Sequence, residues 1–233
     1  MAVRPERGSM STSPAPSEGE KEERRLAEFI LKGDSAQAAE AARQLLLHQH
    51  DANDVVDTIA DAMNIAADLH EVETYSAEKI EGCERAAEKA LEAIRPEIRV
   101  EQTRISGRVM VTSLKGDPHN FDRTILLAML EIGGFTPLDG GGGLTPAEAV
   151  AKASVLRPDI LAVPLVTAIA AKNLVETASM IKPRMSKLRV VVYGRGAKEL
   201  AGHTGLEAVE EDSLAALSRI TELLLTKTEA ERR

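Results

Sequence analysis

Between Lys115 and Asp122 the chain reads Lys-Gly-Asp-Pro-His-Asn-Phe-Asp, which puts a carboxylate, Asp117, two residues before an imidazole, His119. Such a pair has the makings of a metal ligand with its own orienting partner. A carboxylate that accepts the proton on one ring nitrogen fixes the tautomer and raises the basicity of the other nitrogen toward a metal. Taken alone the triplet is a weak signal, because one Asp-x-His in a loop is more commonly a turn with a solvated histidine. The remaining candidates are poorer. His48 and His50 point to different sides of a helix at two-residue spacing and read as solvated helix-end residues. His70 and Glu73 fall at a turn between helices, where a plain surface turn is the simpler reading. The run Gly140 to Gly143 resembles a phosphate cradle but lacks the following Lys-Ser/Thr of a P-loop, and reads as a flexible loop. Cys83 lies on an apolar helical stripe and reads as a small core residue, and His203 has no carboxylate at ligand spacing.

The elements that must position Asp117 and His119 follow from periodicity. Residues 21–96 read as helices only. Leu26, Phe29 and Ile30 form the stripe of a first helix from Lys21 to Leu31, which Gly33-Asp34 stops while capping the next. Ala38, Ala41, Ala42, Leu45 and Leu46 share a face of the second, and Val55, Ile59, Met63 and Ala66 mark the third. Ser76 can cap a fourth, striped by Ile80, Cys83, Ala87, Ala90, Leu91 and Ile94 and ended by Pro96. Four amphipathic helices with short breaks make a bundle.

Beyond Pro96 the period changes. A buried strand at Arg108 to Ser113, a polar loop and a helix at Arg123 to Ile132 form a unit that recurs. The repeats are Phe135 to Leu138 with Pro146 to Leu156, Asp159 to Val163 with Ala168 to Ile181, and Leu188 to Tyr193 with Ala197 to Ala201. A brief Leu206 to Val209 precedes a last helix from Asp212 to Leu225. Strands alternating with helices imply an α/β fold with a parallel sheet covered on both faces; with five strands it is flavodoxin-like. The expected organisation is a disordered leader over 1–20, a helical cap over 21–96, a linker over 97–104, the α/β domain over 105–227 and a tail over 228–233. Ligands of such sheets bind beyond the carboxyl ends of the strands, here Leu114 to Asp122, Pro164 to Thr167 and Tyr193 to Gly196.

Composition removes several function classes. With 29 basic against 37 acidic residues, net charge −8 and no long basic run, nothing provides the electrostatic footprint for nucleic acid or an anionic membrane. Aromatics at 2% and the absence of tryptophan leave no base-stacking platform. One cysteine rules out an internal disulfide, and no hydrophobic run is long enough to cross a bilayer, so the cytoplasm is the expected compartment.

At the Asp117-Pro118-His119 loop the chain resembles the cobalamin-binding module shared by methionine synthase and the corrinoid proteins of methyltransferase systems. The stretch GDPHNFDRTILLAMLEIGGFTPLDGG is similar to that module's first strand–helix–strand, and RPDILAVPLVTA to its third strand. The segment MNIAADLHEVETYSAEKIEGCERAAEKALEAIRP is similar to the helical cap that precedes it. The resemblance implies a cobalamin or other corrinoid held between cap and sheet, with His119 as the lower cobalt ligand. It carries over as cofactor-facing positions Asp117, Asn120, Phe121 and Asp122 from the loop, Pro164, Val166 and Thr167 after the third strand, Tyr193, Gly194 and Arg195 after the fourth, and Met63 from the cap. It further implies a methyl-carrying shuttle subunit without catalytic activity alone, serving separate methyltransferases, with a homodimer compatible.

The chain departs from that pattern at three positions. Asp122 replaces the glycine of DxHxxG, Pro164 stands where a serine hydroxyl would bond the buried base of the nucleotide tail, and Tyr193 replaces the first glycine of a Gly-Gly. Two readings follow. In one the tail takes a modified route, with Arg195 meeting its phosphate and Thr167 replacing the serine. In the other the tail channel is closed, and the site holds a corrinoid lacking the usual base, a different tetrapyrrole such as haem, or nothing. A sensory or regulatory protein working through a signalling partner is the competing function.

Overall fold

The structure is a computed structural model and describes residues 17–48, 51–100, 107–117, 121–202, 205–209 and 212–231. Four helices come first: α1 (Glu18–Lys32), α2 (Ser35–Leu47), α3 (Ala52–Glu71) and α4 (Ala77–Ile94). Each starts after a residue whose side chain accepts a hydrogen bond from an otherwise orphaned backbone N–H: Ser17, Asp34, Asp51 and Ser76. Ser17 and Glu20 close a full capping box, so α1 begins inside the stretch 1–20 that was expected to lie outside the fold.

The end of α1 explains two residues of α4. Gly33 adopts φ 79°, and a Cβ there would lie 3.3 Å from the Gly82 carbonyl carbon, so both positions allow backbones to meet. The last carbonyls of α1 find donors at this crossing. Tyr75 Oη (3.3 Å) and Cys83 Sγ (3.5 Å) donate to Leu31, and Lys79 Nζ (2.8 Å) donates to Lys32. Cys83 is a buried core residue, as its helical stripe indicated, and burial pushes its thiol pKa up, away from thiolate chemistry.

Strands β1 (Arg108–Leu114), β2 (Thr136–Leu144), β3 (Ile160–Pro164), β4 (Arg189–Tyr193) and β5 (Leu206–Val209) form one parallel sheet in the order β2-β1-β3-β4-β5. This is the flavodoxin-like order. Alternation along the strands divides the core in two. Val109, Val111, Ile160, Ala162, Val191 and Tyr193 pack on the side of α5 (Phe121–Ile132) and α8 (Ser213–Glu231). Met110, Leu161, Val163, Val190 and Val192 pack on the side of α6 (Pro146–Leu156) and α7 (Ala168–Ile181). The first of these cores runs without a break into the bundle, where α3 lies against α5. Helices 1 to 4 therefore sit on the α5 side of the sheet, where α3 can reach the carboxyl ends of the strands.

Three expected boundaries shift. The last helix continues to Glu231, and the segment from Ala197 is a single 3-10 turn, Ala197–Leu200. The run Gly140 to Gly143 is not a flexible loop but the second half of edge strand β2. Gly141 (φ 81°) and Gly143 (φ 66°) take conformations that fit bulges, where the register with β1 shifts. Four side-chain hydrogen bonds hold the run: Thr112 Oγ1 to the Gly141 carbonyl (2.6 Å), the Gly141 N–H to Asp139 Oδ1 (2.7 Å), the Gly143 N–H to Ser113 Oγ (3.1 Å), and Lys152 Nζ to the Gly140 carbonyl (2.6 Å). A Cβ on Gly140 would fall 2.7 Å from Met110 Cε, so the glycine is set by packing against β1.

Candidate functional site

A cleft of about 490 Å³ separates α3 from the carboxyl ends of the strands. Its α3 wall is Asp57, Ala60, Asp61, Asn64, Ile65 and Asp68; the facing wall is Asp122, Val166, Gly194, Arg195 and Asp212. The α3 residues form one helical stripe, opposite the stripe Val55, Ile59, Met63 and Ala66 that fills the bundle core. Sequence reasoning followed only the apolar stripe and so missed this second face. The aspartates at 57, 61 and 68, spaced by four and seven residues, were its signal.

The root of the loop that carries His119 is anchored to the start of α7. Asn173 Nδ2 donates to the Lys115 carbonyl (2.7 Å), and Thr167 Oγ1 donates to the Gly116 carbonyl (2.7 Å). The Asp117 carboxylate, 5% exposed, accepts through Oδ2 from the Val166 N–H (2.8 Å) and the Thr167 N–H (3.4 Å). Gly116 (φ 92°) is required here, because a Cβ would lie 2.5 Å from Ile169 Cγ2. The turn leaving β1 is thereby fixed relative to the turn leaving β3. His119 and Asn120, together with His50 and His203, lie outside the described residues.

The expected site residues divide into two groups. Asp122, Val166, Gly194 and Arg195 line the cleft, and Asp117 and Thr167 support its floor. Met63, Phe121, Pro164 and Tyr193 are interior side chains and do not face the cleft. Met63 points into the bundle because it belongs to the apolar stripe of α3, and Phe121 belongs to the core that α5 buries. Tyr193 is fully buried. Its hydroxyl donates to the Asp122 carbonyl (3.0 Å), which also accepts from Ser213 Oγ (3.3 Å). Burial, and next the Asp122 charge, push the Tyr193 phenol well above the usual tyrosine pKa, so it stays a donor. His70 is structural: its Nδ1 pairs with the Tyr75 carbonyl (2.8 Å) and shapes the turn between α3 and α4. His48 Nδ1 pairs with Glu22 (2.7 Å) at the end of α2.

The cleft is acidic, with Arg195 the one cation among its described lining residues. Asp57 is exposed at its rim, yet it loses enough solvent there for its pKa to rise to about 6, with Asp212, Asp54 and Asp61 adding to the shift. A carboxylate whose folded pKa exceeds its unfolded value favours folding most below the unfolded value, and that contribution disappears as pH rises through the folded one. The wild-type urea midpoint should therefore gain an increment between pH 7.5 and pH 5 that Asp57→Asn lacks. Asp54, Asp61 and Asp68 on α3, and Asp122, Arg195 and Asp212 opposite, are the charged groups of this region and are common to both proteins. Equal pH dependence in the two would show that the carboxyl is fully solvated.

Among the described residues no helix is long and apolar enough to cross a membrane, and no group of three or more His, Cys, Asp or Glu side chains could hold a bare metal ion. The described walls suit a flat ring with amide-bearing edges. Ala60, Ile65, Val166 and Gly194 provide low relief, while Asn64 and the aspartates provide acceptors.

No family model matches the chain. Over 197 residues it is 26% identical to trimethylamine corrinoid protein 2 of Methanosarcina acetivorans, spanning 82% of this chain and 91% of that one. It is likewise 26% identical over 145 residues to trimethylamine corrinoid protein 1 of Methanosarcina mazei, covering 60% and 67% of the two chains. The monomethylamine corrinoid protein of Methanosarcina barkeri has the same fold, with TM-score 0.64 and 16% identity over 88% of this chain and 96% of that one. A cap of helices set over a five-stranded parallel sheet is thus the fold of the monomethylamine corrinoid protein, and over 82% of its length the chain is similar in sequence to a trimethylamine corrinoid protein.

Proposed function

We propose that the chain binds a corrinoid in the cleft between α3 and the carboxyl ends of β1, β3 and β4, where His119 would hold the cobalt. The observation that carries this reading is the anchored root of the 115–117 turn, which Asp117 fastens to Val166, a lining residue of the cleft of about 490 Å³ between α3 and the strand ends. Asp117 positions the loop through the Val166 and Thr167 amides, and in the proposal it also orients the His119 ring. Bound there, the corrinoid supplies the methyl-carrying chemistry. The chain binds and orients the ring and limits access of water, and α3 forms the upper wall that a partner has to displace.

The methyltransferases that load and unload the methyl group are in this reading separate chains, and the setting is cytoplasmic. Its support is the kinship with trimethylamine corrinoid proteins. The relatives named above are all corrinoid proteins, and no observation favours haem or a sensory role.

The test is retention of diaquocobinamide or hydroxocobalamin through gel filtration. At least one should co-elute with wild-type protein and show the absorption shift of imidazole coordination. His119→Ala should lose that shift and bind at least tenfold more weakly. Retention of neither ligand, or an unchanged spectrum in the variant, would remove the assignment.

A further inference from the structure

Resting on that reading, we propose that the interior beneath the corrin ring is closed to a nucleotide arm, and that the chain selects corrinoids whose lower nucleotide is absent. A complete cobalamin carries a nucleotide below its ring. When a protein imidazole takes the lower axial position, that nucleotide needs a berth, either inside the protein under the ring or outside it.

The resemblance places the inside route at the carboxyl ends of β3 and β4, at the positions held here by Pro164 and Tyr193. There Pro164 and Tyr193 are register partners at the last position of each strand. Proline brings no polar side-chain atom and no N–H for a base to pair with. The Tyr193 ring is 0% exposed, and its hydroxyl shares the Asp122 carbonyl with Ser213 Oγ. One carbonyl thus ties together the start of α5, the end of β4 and the start of α8.

The neighbouring turns are equally close. A Cβ on Gly194 or Gly196 would lie 3.0 Å from the Leu165 carbonyl oxygen, and the Gly196 N–H donates to that oxygen at 2.9 Å. The cleft reaches Gly194 and Asp122 but does not take in Tyr193. A nucleotide entering here would have to break the Tyr193–Asp122 bond and displace a buried ring whose neighbours are packed at interior density.

Binding titrations with two probes isolate the arm. One is diaquocobinamide, which has no nucleotide. The other is a cobamide whose phenolic base cannot coordinate cobalt, so that it carries the arm without competing for the axial site. Wild-type protein should bind cobinamide at least tenfold more tightly than the phenolic cobamide. Tyr193→Ala should narrow the ratio to less than threefold by weakening the closure.

Equal or tighter binding of the phenolic cobamide by wild-type protein overturns the proposal, as does a ratio that Tyr193→Ala leaves unchanged. Should the variant fail to fold, the wild-type ratio still decides. If wild-type protein retains neither corrinoid, the corrinoid reading itself falls and takes this inference with it. Preference for the phenolic cobamide would sink only the inference.

Discussion

Tyr193→Ala will lower unfolding stability by about 3–5 kcal/mol and Tyr193→Phe by about 1 kcal/mol, read as shifts in urea midpoint at constant slope. The large figure comes from deleting a fully buried ring from the core shared by the sheet, α5, α8 and the bundle. The small one comes from the hydroxyl alone, because its acceptor, the Asp122 carbonyl, keeps Ser213 Oγ as a second donor. Loss of a donor beside a still-satisfied acceptor costs far less than leaving a buried group unpaired. If phenylalanine cost as much as alanine, the hydroxyl and not the ring would be the stabilising element, and the account of this core would be wrong.

Most of the framework was readable because local signals agreed with one another. Ser76 caps α4 where the start of an apolar stripe indicated, and the strand–helix alternation after Pro96 is that of the observed parallel sheet. The errors have physical sources. Ser17-x-x-Glu20 is a capping box whose meaning was hidden by the polar, proline-rich residues before it. Gly140 to Gly143 has the composition of a loop, and its strand conformation is imposed by Thr112, Ser113 and Lys152, which are distant in sequence.

The site was legible in part for the same reason. The turns beyond β1, β3 and β4 could be placed by topology alone, whereas the acidic face of α3 could enter only once the bundle's orientation on the sheet was known. Asp122 and Tyr193 looked like two separate departures from a family pattern. They are joined by one hydrogen bond, which runs through the Asp122 backbone while its side chain lines the cleft. Side-chain identity at position 122 therefore matters to the cleft, and side-chain identity at 193 matters to the closure beneath it.

Asp117→Ala should cost about 2–4 kcal/mol, and Asp117→Asn about 1 kcal/mol, by the same urea measurement. Alanine removes a buried, charged acceptor and strands the Val166 and Thr167 amides, whereas asparagine retains one oxygen to accept from Val166. Thr167→Ala removes the donor to the Gly116 carbonyl and the cap of α7, with an expected cost of about 1 kcal/mol. Because both side chains fasten the same turn, the double variant Asp117→Ala/Thr167→Ala should lose about 0.5 kcal/mol or more less than the sum of the single losses. Strict additivity would mean that each side chain holds its own loop independently. The turn after β1 would then be free to move relative to the turn after β3, and the cofactor ligation proposed for His119 would lose its fixed base.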